Sequence, residues 1–307
     1  DGGVLGGHLS LTRANAQHNA GAFAALAAVD RLLLGYLAGL AVLALVYHPQ
    51  PLLLVQIGAV ATSLVVCARF HPHSQLGRWM HDFFPIAGVL ATFNLSGPVI
   101  AAANPTRWDV TFAAWDRALF GALPALWFGL LGRPAWLTDA ASIVYCTYYG
   151  IPVAMGIALY RADRLAEFEE MAFAGVATFL VSFVCYLAAP TLGPRVPPDQ
   201  AAAVLGGGAV SEAVRWFLHT FEGNELDAFP SGHTALSLIF LGFGWRLFPR
   251  WRVLLAVLVA GIIFSTVYLS LHYVVDVVAG VLLAAAMPFL LPLLRRLASP
   301  RPLSDRR

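Results

Sequence analysis

The chain predicts an all-α, polytopic membrane protein, and three observations lead there. Of its 307 residues, 59% are hydrophobic and only 12% charged, against roughly 25% charged in an ordinary soluble domain, and mean hydropathy is +0.72. Apolar stretches near the length of about 20 residues that a bilayer-crossing helix needs recur eight times along the chain. All 19 basic residues are arginine, and they fall mostly between or beyond those stretches. The absence of lysine excludes a lysine Schiff base and a P-loop. A net charge of +2 forms no basic stripe, so nucleic acid is excluded as a partner.

In chain order, residues 1–20, with Gly2, Gly3, Gly6 and Gly7 among polar neighbours, predict a flexible tail. The start at Asp1 without a methionine leads to the expectation that the chain has been trimmed. Residues 21–297 are expected to form one transmembrane catalytic domain, followed by a basic cytoplasmic tail at 298–307. The predicted spans are 23–47, 52–68, 83–103, 137–160, 171–189, 234–248, 253–271 and 274–294. Asp30 and Arg31 interrupt the first, whose membrane part then begins at Leu32, and the second and sixth are short. Between the third and fourth, residues 106–133 mix Trp108, Trp115, Phe120 and Trp127 with Asp109, Asp116 and Arg117, which predicts an amphipathic helix lying in the membrane interface. Residues 190–230 form the longest polar connection, with five prolines and the run Gly206 to Gly208; so long a connection is functional or disordered. Cys67, Cys146 and Cys185 lie in apolar runs without metal-type spacing and read as small core residues.

Eight crossings put both termini on one side. Fourteen arginines fall on the terminal side and five on the other (Arg107, Arg117, Arg133, Arg195 and Arg215). The positive-inside rule then makes both termini cytoplasmic and turns the 190–230 connection outward.

Two segments interrupt the apolar background: Phe229-Pro230-Ser231-Gly232-His233-Thr234, opening the sixth span, and Tyr268-Leu269-Ser270-Leu271-His272-Tyr273-Val274-Val275-Asp276, opening the eighth. Two crossings separate them, so they share one membrane face with Gly193-Pro194-Arg195. Their chemistry suits phosphoryl transfer. On a helix His272 and Asp276 share a face, and the carboxylate holds one imidazole nitrogen while the other stays free as a nucleophile. His233 is placed to pass a proton to the leaving oxygen and to activate the next acceptor. Ser231 and the amides around Gly232 open a helix, where N–H groups and the dipole favour phosphate, and Arg195 offers a planar clamp. Each feature has a plainer account. Pro-Ser-Gly is also a helix start capped by Ser231 or Asp227, Arg195 is also a lipid-headgroup contact, and two histidines with a carboxylate also suit a metal, with His219, Glu222, Glu225 and Asp227 nearby in sequence.

Pro230-Ser231-Gly232-His233, followed 39 residues later by His272 and then Asp276, resembles the second and third signature motifs of the type 2 phosphatidic acid phosphatase superfamily, membrane lipid phosphatases and phosphotransferases that need no metal. The resemblance covers about the last 120 residues. It implies a six-helix catalytic core beginning near Leu52 or Phe83, with further N-terminal helices. It also implies His272 as nucleophile, Asp276 as its orienting partner, His233 as acid and base, Ser231, Gly232 and Arg195 as phosphate cradle, and no cofactor or metal. The implied substrate is a membrane phospholipid or lipid phosphate, with water or a lipid hydroxyl as acceptor. Two departures stand out. Ser265-Thr266 replaces the usual Ser-Arg before the third-motif histidine, and the lysine of the first motif is missing, so Gly193-Pro194-Arg195 must substitute. The 265–273 segment and Trp115-Asp116-Arg117-Ala118-Leu119-Phe120-Gly121 are similar to the inositol phosphorylceramide synthase branch, which exchanges headgroups. Two other classes compete: a transporter or scrambler using intramembrane His272 and Asp276, and a serine protease using Ser231.

Overall fold

The computed structural model describes residues 26–70, 74–130, 132–196, 200 and 204–299; the predicted N-terminal tail and most of the C-terminal tail lie outside them. The described residues form α-helices and no strand. In chain order these are α1 (Ala28–Tyr47), α2 (Pro51–Phe70), α3 (Gln75–Ala103), α4 (Asp109–Phe120), α5 (Pro124–Leu130), α6 (Ala135–Arg161), α7 (Leu165–Ala188), α8 (Ala209–Phe221), α9 (Gly232–Leu247), α10 (Arg252–Tyr268) and α11 (Val274–Ala298). The chain is thus an all-α, multi-pass integral membrane protein: α1, α2, α3, α6, α7, α11 and the helical stretch Pro249–Tyr268, which is α10 with the 3-10 turn Pro249–Trp251 before it, are each long and apolar enough to cross a bilayer.

Three expectations change. The sixth predicted span is α9, which has 16 residues and so a length of about 24 Å, short of the ~30 Å hydrocarbon core. It packs against α6, α7, α10 and α11, so protein rather than lipid covers much of its length. The single interfacial helix expected over 106–133 is two helices, because Gly121 adopts φ 77° and ends α4. The 190–230 connection contains a helix, α8, whose start is held by Asp139: its Oδ1 accepts from Gly208 N at 2.9 Å and Ser211 N at 3.0 Å. An acceptor on α6, far away in sequence, supplies the cap that local composition lacks.

The two largest apolar clusters tie the bundle together. Leu33, Leu37, Leu64, Val99 and Phe183 bind α1 and α2 to α3 and α7, while Tyr148, Leu159, Phe168, Leu236, Phe240 and Ile262 bind α6, α7, α9 and α10. Buried hydroxyls bond within their own helices, as Thr92 to Gly88 O, Ser142 to Thr138 O and Thr178 to Ala174 O, which satisfies them without water. Asp30 and Arg31 do not break the first span; they start it. Asp30 accepts from Ala27 N and pairs with His81 of α3, each at 2.8 Å. Arg31 donates to the carbonyls of Leu26 and Ala298, so the beginning of α1 and the end of α11 meet at one end of the bundle.

Candidate active site

The site is built where three chain breaks meet, at the end of the bundle away from Arg31 and Ala298. The first break, between α10 and α11, carries His272. Helix α10 ends as Leu269 N bonds Ser265 O, and the amides of Leu271 and His272 both turn back onto Thr266 O at 2.9 and 3.1 Å. Ser270 takes the left-handed conformation, φ 58°. Thr266, where an arginine was expected from the family pattern, is buried and anchors this turn through its carbonyl.

His272 is buried and lies two residues before α11 begins. Its Nδ1 is 2.9 Å from the carbonyl of Ala228, whereas the nearest Asp276 oxygen is 3.6 Å away, beyond hydrogen-bonding distance. The expected orienting carboxylate is therefore replaced by a backbone carbonyl. The reason is geometric: His272 is not on the helix with Asp276, and the Asp276 carboxylate caps that helix by accepting from Tyr273 N at 2.8 Å. The chemical result is the same. Nδ1–H donates to Ala228 O and Nε2 keeps its lone pair. Burial pushes the His272 pKa down to about 4, with Asp227 working upward and Arg195 downward, so the ring is neutral at physiological pH.

The second break leads into α9. Ser231 N donates to Asp276 O at 2.9 Å, joining the two motifs through main chain. Ser231 Oγ caps α9, accepting from Thr234 N at 3.3 Å and from Thr234 Oγ1 at 3.1 Å. Gly232 faces the Tyr186 hydroxyl, which a Cβ would meet at 2.6 Å. His233 is buried, its ring centroid 5.7 Å from that of His272. Tyr145 of α6 bonds His233 Nε2 at 2.7 Å, and the Tyr148 ring lies 4.3 Å from the imidazole.

The third break carries Arg195, whose guanidinium pairs with the buried carboxylate of Asp227. Its Nε is buried without a partner among the described residues. Gly193 brings this loop against the histidine loop: φ is 81°, and a Cβ would lie 2.3 Å from Leu271 O. A cavity of about 310 Å³ adjoins Arg195, lined also by Arg215, His219, Glu222, Glu225 and Ser270. Burial and then the Asp227 charge push Glu222 up to about 7, against the lowering effect of the Tyr149 hydroxyl and Arg195.

The structure thus brings His272, His233, Ser231, Gly232, Arg195 and Asp276 into one place, with Asp276 in a capping position. Among the described residues no group of three or more His, Cys, Asp or Glu side chains is arranged to hold a metal. Sequence reasoning missed Tyr145, Tyr148, Asp227 as the partner of Arg195, and the Ala228 carbonyl. The run Tyr145-Cys146-Thr147-Tyr148-Tyr149, phenolic in the middle of an apolar span, was the available signal for the tyrosines. A main-chain acceptor such as Ala228 O leaves no signal in a sequence.

The model of the PAP2 superfamily matches residues 110–290, more than half of the chain. The chain belongs to the PAP2 superfamily. The match reaches from α4 through most of α11 and so takes in all three breaks, well upstream of the 120 residues that carry the motifs. PAP2 proteins are in general phosphatases, and phosphoryl transfer is the chemistry that membership brings. No curated protein and no solved structure matches the chain.

Proposed function

We propose that the protein transfers the phosphoryl group of a membrane phospholipid or lipid phosphate through a phosphohistidine at His272, as a lipid phosphatase or as a headgroup phosphotransferase of the inositol phosphorylceramide synthase type. The observation that carries this is the buried, neutral His272 with Nδ1 held by Ala228 O and the His233 ring beside it. In the first step His272 Nε2 attacks phosphorus and the P–O bond to the lipid breaks. The departing oxygen takes a proton from His233. In the second, His233 removes a proton from water or a lipid hydroxyl, whose oxygen attacks phosphorus and frees His272. Arg195, oriented by Asp227, gathers charge on the phosphoryl oxygens. Ser231 only accepts from Thr234, so its own hydroxyl proton serves as a donor beside the Gly232 amide. Histidine and arginine together carry the roles a metal would otherwise fill, and no metal is required.

Lipid as substrate is supported by an apolar cleft of about 230 Å³ among α3, α6, α7 and α9, which includes Val89, Met171, Val176 and Phe240 and ends at Tyr148 and Tyr149 beside His233. Arginine counting, with both ends of the bundle domain meeting at Arg31 and Ala298, supports a reading with those ends in the cytoplasm and the site on the extracytoplasmic face. The test uses purified protein in nanodiscs with phosphate-labelled phospholipid, with and without ceramide or diacylglycerol, and with EDTA. Acid-labile label on the wild type, absent from His272→Ala, is expected, with turnover unchanged by EDTA. Labelled lipid product is expected with a transferase, and water-soluble label alone, as headgroup phosphate from a phospholipid or free phosphate from a lipid phosphate, overturns transfer in favour of hydrolysis. Turnover by His272→Ala within tenfold of wild type overturns the whole mechanism.

A further inference from the structure

Helix α4 touches every loop of the site but supplies none of its reacting groups. Asp109 and Asp116 are seven residues apart, which on an α-helix is two turns on one face and about 10.5 Å of rise. Asp109 Oδ1 accepts from Leu192 N at 3.1 Å and Gly193 N at 3.0 Å, and its Oδ2 from Leu192 N at 3.2 Å; these amides immediately precede Pro194-Arg195. Asp116, buried, accepts from Val274 N at 2.8 Å through Oδ2 and from Val275 N at 3.1 Å through Oδ1; these amides follow His272-Tyr273. Between the two carboxylates Phe112 packs on Phe229 at 4.5 Å, next to Pro230-Ser231, and clusters with Ala113 and Tyr273. Trp108 N donates to Pro190 O at 3.2 Å.

Helix capping alone does not account for this pattern. At α11 Asp116 takes the first-turn amides of Val274 and Val275 while Asp276 takes only that of Tyr273, but the amides of Leu192 and Gly193, which Asp109 holds, belong to no helix. A buried carboxylate is costly unless several donors meet it, and Asp116 meets two amides 158 and 159 residues away. What the two aspartates share is a rigid spacer between the Arg195 loop and the His272 loop.

We infer that Asp109 and Asp116 are positioning residues and that α4 is a brace setting the separation of Arg195 from His272. As a statement about catalysis this rests on the phosphoryl-transfer function proposed above; as a statement about mechanical coupling it does not. The test uses the full chain in nanodiscs. By hydrogen exchange, Asp116→Ala is expected to speed exchange at 192–193 as well as at 274–275, and Asp109→Ala to do the reverse. If each variant loosens only the amides it touches, the brace is overturned. By lipid-phosphate turnover, each alanine variant is expected to lower kcat about 10- to 100-fold with KM within threefold. The double variant is expected to be no worse than the poorer single, because cutting either end frees the same spacer. Asp109→Asn keeps the one oxygen that accepts from both Leu192 and Gly193, is the variant of choice if alanine prevents folding, and should recover most of kcat, whereas Asp116→Asn keeps one of two acceptors and sets an NH2 against the other amide, so it should fall between wild type and alanine. Multiplying losses, losses confined to KM, or an Asp109→Asn variant no better than Asp109→Ala overturn the positioning role. Reciprocal exchange without any wild-type turnover overturns the proposed function and leaves the brace standing; turnover without reciprocal exchange overturns the brace alone.

Discussion

At the scale of single residues, the site works by fixing protonation. Ala228 O takes the His272 Nδ1 proton and burial holds the ring neutral, with a pKa pushed down to about 4. A neutral nucleophile is lost only when it is protonated, so the limb of kcat/KM that belongs to His272 falls as pH drops through about 4, not through the ordinary 6.5. Asp227 favours the charged ring, so Asp227→Asn moves that limb further down; a pH–rate profile of the variant against wild type checks the sign. Tyr145 holds His233 Nε2 at 2.7 Å. Tyr145→Phe removes one buried hydrogen bond of about 1.5 kcal/mol and should lower kcat about tenfold, measurable in steady-state turnover, with folding retained by size-exclusion profile. The two histidines, Ser231 and Arg195 were legible in sequence because each is a polar residue in an apolar chain. The working partner of His272 was not, because a backbone carbonyl is present at every residue and only folding selects one. Asp276 shows the same limit from the other side. Spacing of four suggests a shared helical face, but α11 begins after His272, and the carboxylate caps the helix.

At the scale of elements, short pieces between the spans decide the architecture of the site. Helix α9 begins at the Ser231 cap and is too short to cross alone. Gly121 divides α4 from α5, and α8 occupies a connection that composition marks only as long and polar. The first two boundaries are local, a serine cap and a left-handed glycine, but the start of α8 follows from a tertiary acceptor, Asp139, whose distance in sequence hides it from local pattern. The loop at Gly193 carries the sharpest element-level prediction. A side chain there meets both a left-handed backbone and the Leu271 carbonyl, a combination costing about 1–3 kcal/mol. Gly193→Ala should therefore lower the thermal midpoint and reduce turnover, whereas Gly121→Ala, with open space around it, should leave turnover within about twofold despite its strained φ. Equal loss of turnover in the two variants would dissociate the Gly193 contact from the site.

At the scale of the whole molecule, one end of the bundle carries structural polar groups and the other carries chemistry. Asp30, His81 and Arg31 tie α1 to α3 and to the end of α11. Breaking one side of a buried pair costs about 3–5 kcal/mol, so Asp30→Ala should lower the thermal midpoint by several degrees in a detergent melt while kcat of the surviving fraction is unchanged; a fall in kcat at constant melting would place Asp30 in the catalytic pathway. The sequence by itself determined the fold class, the membrane setting, the family motifs and the polar residues gathered at the site, because charge is so scarce here that each exception to apolarity is informative. Tertiary structure alone decided which atoms touch: the carbonyl on His272, the carboxylate on Arg195, the phenol on His233 and the two aspartates of α4 on loops about 80 and 160 residues away. Periodicity and composition report which face of an element is buried. They do not report which partner, distant in the chain, arrives to satisfy a donor there, since that choice is made by packing of the whole bundle.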